Sequence, residues 1–150
     1  MELKFSVSAH ISKPLPLVFE AVADPDQLSH YFTTGGAKGR LEGGRTVTWD
    51  FHDFPGAFPV TVVEAVPNEK IVLRWQANDE DEGSYETVVT IDFEPVGEDR
   101  TRIAINEHGW RETQSGLKAS YGNCQGWSQM LCALKAWLEH GINLREGMYK

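Results

Sequence analysis

Apolar and polar residues alternate one for one at the start of the chain. Leu3, Phe5, Val7, Ala9 and Ile11 fall on one side of an extended backbone, and Lys4, Ser6, Ser8 and His10 fall on the other. A period of two with a single apolar face predicts a half-buried strand. The rhythm changes in SKPLPLVFEAVADPDQLSHYF, where Ser12 can cap a helix and Pro14 and Pro16 suit its first turn. Leu17, Val18, Ala21 and Val22 form the apolar stripe of that helix, and Asp24-Pro25 ends it and opens a second short one reaching about Tyr31. From there to Trp110 the pattern is strands between turns. Val47, Trp49 and Phe51 alternate in TVTWDFH, FPGAF turns the chain, and AFPVTVVEAV continues as a strand. Ile71, Leu73 and Trp75 share a face after the PNEK turn, and YETVVTIDFEP and RTRIAINEHGW, joined by VGED, complete the series. The acidic NDEDEGS between them reads as a solvated hairpin loop whose charges serve solubility rather than a metal.

The chain closes on a helix. Cys124, Trp127, Met130, Leu131, Leu134, Trp137, Leu138 and Ile142 fall within roughly 140° of a helical wheel. Gln125, Gln129, Lys135, Glu139 and His140 take the water side. The order is therefore strand, two short helices, about six strands and a long helix. Short turns between consecutive strands imply an antiparallel meander with one face covered by the closing helix, in a single α+β domain over residues 1–150.

Cysteine geometry removes one class of function. Cys124 and Cys132 are separated by about 12 Å of helix rise and about 80° around the axis. A disulfide needs Cα atoms roughly 4.4 to 6.8 Å apart, so both are expected to be unpaired thiols, Cys124 at the apolar edge and Cys132 towards the polar side. Charge removes two more. The sequence carries a net charge of −8 and no Lys/Arg run, which disfavours nucleic acid and anionic lipid surfaces. No apolar run approaches the roughly 20 residues of a spanning helix, so membrane insertion is not expected. The N-terminus lacks the basic and apolar regions of a signal peptide. With two cysteines and no N-x-[ST] sequon, the expected compartment is the cytoplasm.

Local catalytic motifs are missing. GGAKGR lacks the G-K-[ST] ending of a phosphate loop, and there is no G-x-S-x-G elbow. His10, His30, His52, His108 and His140 are scattered without metal-ligand spacing, so neither a metal nor a cofactor is expected. One residue stands out. In RIAINEHGW, Ile103, Ile105 and Glu107 share a face, which sets a carboxylate among apolar side chains. Two readings follow. Glu107 lies at the strand end, open to solvent or paired with an Arg, or it lies at the edge of an apolar cavity, where burial raises its pKa and it meets a polar group of a ligand.

The phrases ISKPLPLVFEAVADPDQLSHYF, LEGGRTVTWDF, VPNEKIVLRW, RIAINEHGW and GWSQMLCALKAWLE, in this order over nearly the whole chain, resemble the START-like or SRPBCC superfamily, the helix-grip fold. Within it the chain looks most like the family named for the C-terminal domain of the activator of the 90-kDa heat-shock chaperone ATPase. Tyr31 stands where that family usually has Trp. The resemblance implies a helix-grip fold in which an antiparallel sheet of about seven strands wraps the C-terminal helix over a cavity. Superfamily members use that cavity for sterols, lipids, polyketides, aromatic compounds and plant hormones, and some catalyse cyclisation or hydroxylation. The family name implies a chaperone partner and a stress response. The co-chaperone's separate N-terminal domain has no counterpart here, so chaperone stimulation is not carried over. The ligands of the Rieske hydroxylases are also missing.

The aromatic content supports a cavity: 5 Trp, 7 Phe and 4 Tyr, many on inward faces. The lining expected from strand faces is Phe32, Trp49, Phe51, Phe58, Val60, Leu73 and Trp75, followed by Val89, Ile91, Ile105, Glu107 and Trp110. Trp127 and Leu131 complete it from the helix, and Gly126 reads as the point where helix and sheet approach closely. Each of these side chains could equally fill a core. The expected function is binding of a hydrophobic or aromatic small molecule, lipid-like or polyketide-like, by a non-catalytic monomer or homodimer with no cofactor. The rivals are a cyclase/aromatase-type enzyme using Glu107 or His108, and a protein-interaction module with an exposed apolar patch and no enclosed volume.

Overall fold

The computed structural model describes residues 1–80 and 83–148. Its strands are β1 (Leu3–Ile11), β2 (Gly36–Lys38), β3 (Thr46–Phe51), β4 (Phe54–Val66), β5 (Lys70–Gln76), β6 (Glu86–Pro95) and β7 (Thr101–Trp110). The helices are α1 (Leu15–Ala23), α2 (Pro25–Leu28) and α3 (Gln114–His140). All seven strands form one sheet in the order β1-β7-β6-β5-β4-β3-β2, each pair antiparallel. β2 to β7 are thus a meander. The two short helices carry the chain from β1 at one edge to β2 at the other, and this is the α+β helix-grip architecture expected from the order of elements.

Alternation decides which side chains meet the helix. Ile71, Leu73, Val89, Ile91, Ile103 and Ile105 are each at most 1% exposed, and their neighbours in the strands face outward. β1 is only half-buried along Leu3, Phe5, Val7 and Ala9 because it is an edge strand. α3 lies beside it: Lys135 Nζ donates to the His10 carbonyl at 3.2 Å, and the Ser12 N–H donates to Glu139 at 2.9 Å. The ends of α3 are chemically defined. Thr113 Oγ1 accepts the Gly116 N–H at 3.0 Å, and Gly141 stops the helix in the left-handed region at φ 68°.

Several local expectations shift. FPGAF is part of β4, and the turn falls at His52-Asp53, so that Phe51 pairs directly with Phe54. α1 begins after Pro14, with no side-chain cap from Ser12. Leu17 is 44% exposed, so the buried stripe of α1 runs through Val18, Phe19, Ala21 and Val22 instead. Ile142 follows the stop at Gly141 and is 52% exposed, off the helical stripe. Cys124 is half-buried and Cys132 exposed, both as free thiols. Asp81 and Glu82 of the acidic loop lie outside the described residues, and among those described no group of His, Cys, Asp or Glu is arranged to hold a metal ion.

Candidate functional site

The C-terminal half of α3 fills the concave face of the sheet; the N-terminal half does not. Trp127, Met130, Leu131, Ala133 and Leu134 are buried, all at most 3% exposed. Towards the N-terminus the same helix presents Ser115, Ala119, Gly122 and Gly126 to the sheet, and a pocket of about 480 Å³ opens there. That volume is in the range of small-molecule sites. A Cβ built on Gly122 or Gly126 would meet no atom within 4 Å. The expected close approach at Gly126 is therefore corrected: Gly126 faces open space because it lines the pocket. Close approach belongs to Gly116, where a Cβ would lie 2.0 Å from the Arg111 carbonyl oxygen.

Five aromatic side chains on the pocket wall form one continuous cluster. Phe32 meets Phe51 at 5.0 Å between ring centres, Phe51 meets Phe58 at 5.9 Å, and Phe58 meets Trp75 at 6.0 Å. Trp75 meets Trp127 at 5.5 Å, and Trp127 returns to Phe32 at 5.4 Å. These separations are those of favourable aromatic pairs, so each ring is braced by two neighbours. Behind Phe32 and Phe51 lies the guanidinium of Arg145, 5.7 and 5.5 Å from their ring centres, reaching Asp53 on the β3–β4 turn at 3.1 Å. Gln76, Asn78, Glu80 and Lys118 are exposed and form a polar mouth.

Under two of the rings lies Glu107, fully buried on β7. Its Oε1 accepts from Trp127 Nε1 at 2.9 Å and from Asn123 Nδ2 at 3.2 Å. Its Oε2 accepts from Trp75 Nε1 at 2.9 Å, Thr87 Oγ1 at 2.7 Å and Asn123 Nδ2 at 3.0 Å. No cation reaches it among the described residues. Burial pushes its pKa above the ordinary carboxyl value, and the donors from Trp75, Thr87, Trp127 and Asn123 oppose that rise without cancelling it. Burial raises its pKa as the second sequence reading expected, but the placement of Glu107 in both readings needs correction. It is neither at a solvent-facing strand end nor paired with Arg. Nor does it stand on the pocket wall, since its lone pairs are spent on protein donors. It fixes the orientation of two wall tryptophans and of Asn123. His108, the next residue, is exposed on the outer face of the sheet.

Of the fourteen expected lining residues, the pocket wall contains Phe32, Phe51, Phe58, Trp75 and Trp127. Trp49 stands behind the wall, edge-on to Phe32 and Trp75 at 5.5 and 5.8 Å. Val60, Leu73, Val89, Ile91, Ile105 and Leu131 belong to the closely packed core that the sheet forms with α1, α2 and the C-terminal half of α3. Trp110 stacks on Phe5 at 5.5 Å near the β1 edge. The sequence reading missed Asn123, Phe54, Asp53 and Arg145. Gly122 and Gly126, four apart on one helical face, were the visible signal for the small-residue wall, whereas nothing in the tail marked Arg145.

A seven-stranded antiparallel sheet gripping a long C-terminal helix beside an aromatic pocket defines a START-like, helix-grip protein. The chain belongs to the family described as activator of Hsp90 ATPase homolog 1-like protein, which matches residues 13–139. Comparison with curated proteins finds no match. Among solved structures it is similar to a Staphylococcus saprophyticus protein, with 24% identity, TM-score 0.78, and 95% of this chain and 96% of that one covered. It is also similar to the Aha1 dimer from Colwellia psychrerythraea, at 22% identity and TM-score 0.74 over 93% and 98% of the two chains. An HSP90 activator from Plasmodium falciparum shares 21% identity, with TM-score 0.73 over 91% and 96%. No helix among the described residues is long and apolar enough to cross a membrane.

Proposed function

We propose that this protein binds an apolar, ring-containing small molecule in the pocket between the sheet and the N-terminal half of α3, without transforming it. The observation that carries the reading is the continuous cluster of Phe32, Phe51, Phe58, Trp75 and Trp127 lining a pocket of about 480 Å³. Flat, rigid walls suit flat ligands, and lipid-like or polyketide-like molecules with fused rings fall in that class. Catalysis of the cyclase kind would use Glu107, whose oxygens are already occupied by four residues, or His108, which faces away from the pocket. Two free thiols, one exposed, suit a cytoplasmic setting.

A protein-interaction role of the kind in the family description is the second reading. Phe54, 53% exposed on the β3–β4 hairpin beside the pocket, is the surface that favours it. The test begins with native mass spectrometry of protein purified from its own host, followed by titration with 1-anilinonaphthalene-8-sulfonate. A co-purifying molecule, or dye fluorescence abolished by Gly126→Leu with the fold intact, supports the pocket. A folded wild type that carries nothing and takes up no dye sinks it.

A further inference from the structure

Resting on the pocket reading, we infer that the floor of the pocket selects ring-containing ligands that carry a hydrogen-bond donor, such as an aromatic hydroxyl or a ring N–H. The reason lies in how Glu107 distributes the polar groups beneath the rings. An ionised carboxylate only accepts, and an indole N–H only donates. Trp75 and Trp127 therefore turn their N–H groups to Glu107, each at 2.9 Å, and present apolar ring surface to the pocket. Thr87 commits its hydroxyl to the same carboxylate at 2.7 Å.

Asn123 is the remaining polar residue of this floor, and its amide has one permitted orientation. Nδ2 lies 3.2 and 3.0 Å from the two Glu107 oxygens. Turning the amide over would set Oδ1 against both of them, acceptor on acceptor. Nδ2 thus faces inward, and Oδ1 is the end of the amide left to the pocket, where Asn123 is part of the wall. No described residue donates to that oxygen. Gly122 and Gly126 beside it have no side chains to shield it. The donors that the pocket does possess stand elsewhere: Lys118, Gln76 and Asn78 at the solvated mouth, Ser115 at the start of α3 with its hydroxyl 3.2 Å from Thr113 Oγ1, and Arg145 beside Phe32 and Phe51 with its guanidinium on Asp53. A ligand hydroxyl among the rings finds an acceptor. A ligand ether or ketone oxygen in the same place faces one lone-pair-bearing oxygen with another.

The experiment compares 2-naphthol with 2-methoxynaphthalene by calorimetric titration at pH 7. The ether has the larger apolar surface, so burial alone favours it. A donor-selecting floor reverses the order, with 2-naphthol about fivefold tighter, the worth of one net hydrogen bond. In Asn123→Leu, verified as folded by its circular dichroism, the two probes should bind within about twofold of each other. Equal or tighter binding of the ether to the wild type overturns the inference while leaving the pocket reading standing. Persistence of the naphthol preference in Asn123→Leu also overturns it. If neither probe binds the wild type, the pocket reading itself falls, and this inference with it.

Discussion

The two halves of α3 face the same sheet and do opposite things. From Trp127 to Leu138 the helix supplies large side chains that interlock with Ile91, Ile105 and their neighbours and leave no room. From Ser115 to Gly126 it supplies small ones, and the room remains. Backbone geometry does not separate the halves, since one continuous helix runs over Gln114–His140. Side-chain volume does. Protein interiors seldom keep voids larger than a water molecule. Glycine inside a helix costs about 0.5–1 kcal/mol relative to alanine. Gly116 has a steric reason to be glycine, while Gly122 and Gly126 have open space where a Cβ would be. The helix thus forgoes stability at two positions where packing makes no demand.

Glu107 joins the halves, holding Asn123 from one and Trp127 from the other, and removing it is the strongest way to break the contrast. Glu107→Leu leaves two indole N–H groups, the Thr87 hydroxyl and the Asn123 amide without their acceptor. At about 1–3 kcal/mol for each stranded donor, the expected loss is about 4 kcal/mol, read from denaturant unfolding. Glu107→Gln tests the charge. Because burial holds the folded-state pKa above the ordinary 4.5, the stability contributed by Glu107 is fully present below about that pH. It is lost as pH rises through the raised value. Glu20 and Glu139 slope the other way. Arg40 holds Glu20 low and Lys135 holds Glu139 low, so their contributions disappear as pH falls through the lowered values. Both pairs are present in both proteins, so subtraction removes them. The wild type should therefore lose stability relative to Glu107→Gln as pH rises from about 4.5, measured as unfolding midpoints across pH 4 to 8. A flat difference would mean that Glu107 is not titrating from a buried site.

Leu134→Ala probes the filled half. Leu134 is fully buried, with no pocket beside it to relax into, and the change should cost about 3 kcal/mol, within the range for core leucines. Ligand or dye binding at the pocket should survive wherever the protein remains folded, because Leu134 lies outside the wall. Loss of binding in a folded Leu134→Ala would show that the two halves are not separable.

The sheet and its long helix were legible because alternation and helical periodicity are both consequences of one face being buried. Val47, Trp49, Phe51, Ile71, Leu73, Ile103 and Ile105 all sit on the inner face that their spacing implied. The pocket was legible only in outline. Periodicity states that a side chain points inward but not whether it meets another side chain or empty space, so Leu73 and Trp75 looked equivalent. One is core and the other is wall, decided by what α3 carries opposite. The same blindness explains Gly126, where a glycine in a helix can mean either close approach or vacancy. Glu107 was conspicuous as an inward carboxylate, yet its partners come from β5, β6 and α3. No local pattern joins Trp75, Thr87, Asn123 and Trp127. The FPGAF turn was misplaced because Pro and Gly usually break strands, whereas here the tight two-residue turn falls just before them.

The mildest substitution sharpens the comparison most. Gly126→Ala adds one methyl group on the pocket side of α3, where nothing lies within 4 Å. It should strain nothing and restrict the unfolded chain, so stability should rise by about 0.5–1 kcal/mol. At the same time the methyl enters the pocket that Gly126 lines, so the pocket shrinks and affinity for a naphthalene probe should fall. Stability and binding would then move in opposite directions from a single methyl. Unfolding midpoint and probe titration, measured on the same preparation, read both. If Gly126→Ala gained stability with no loss of affinity, the small residues of this half would be incidental, and the contrast between the halves would be one of packing alone. If it lost stability, the space beside Gly126 would be smaller than its surroundings indicate, and the helix would sit closer to the sheet there.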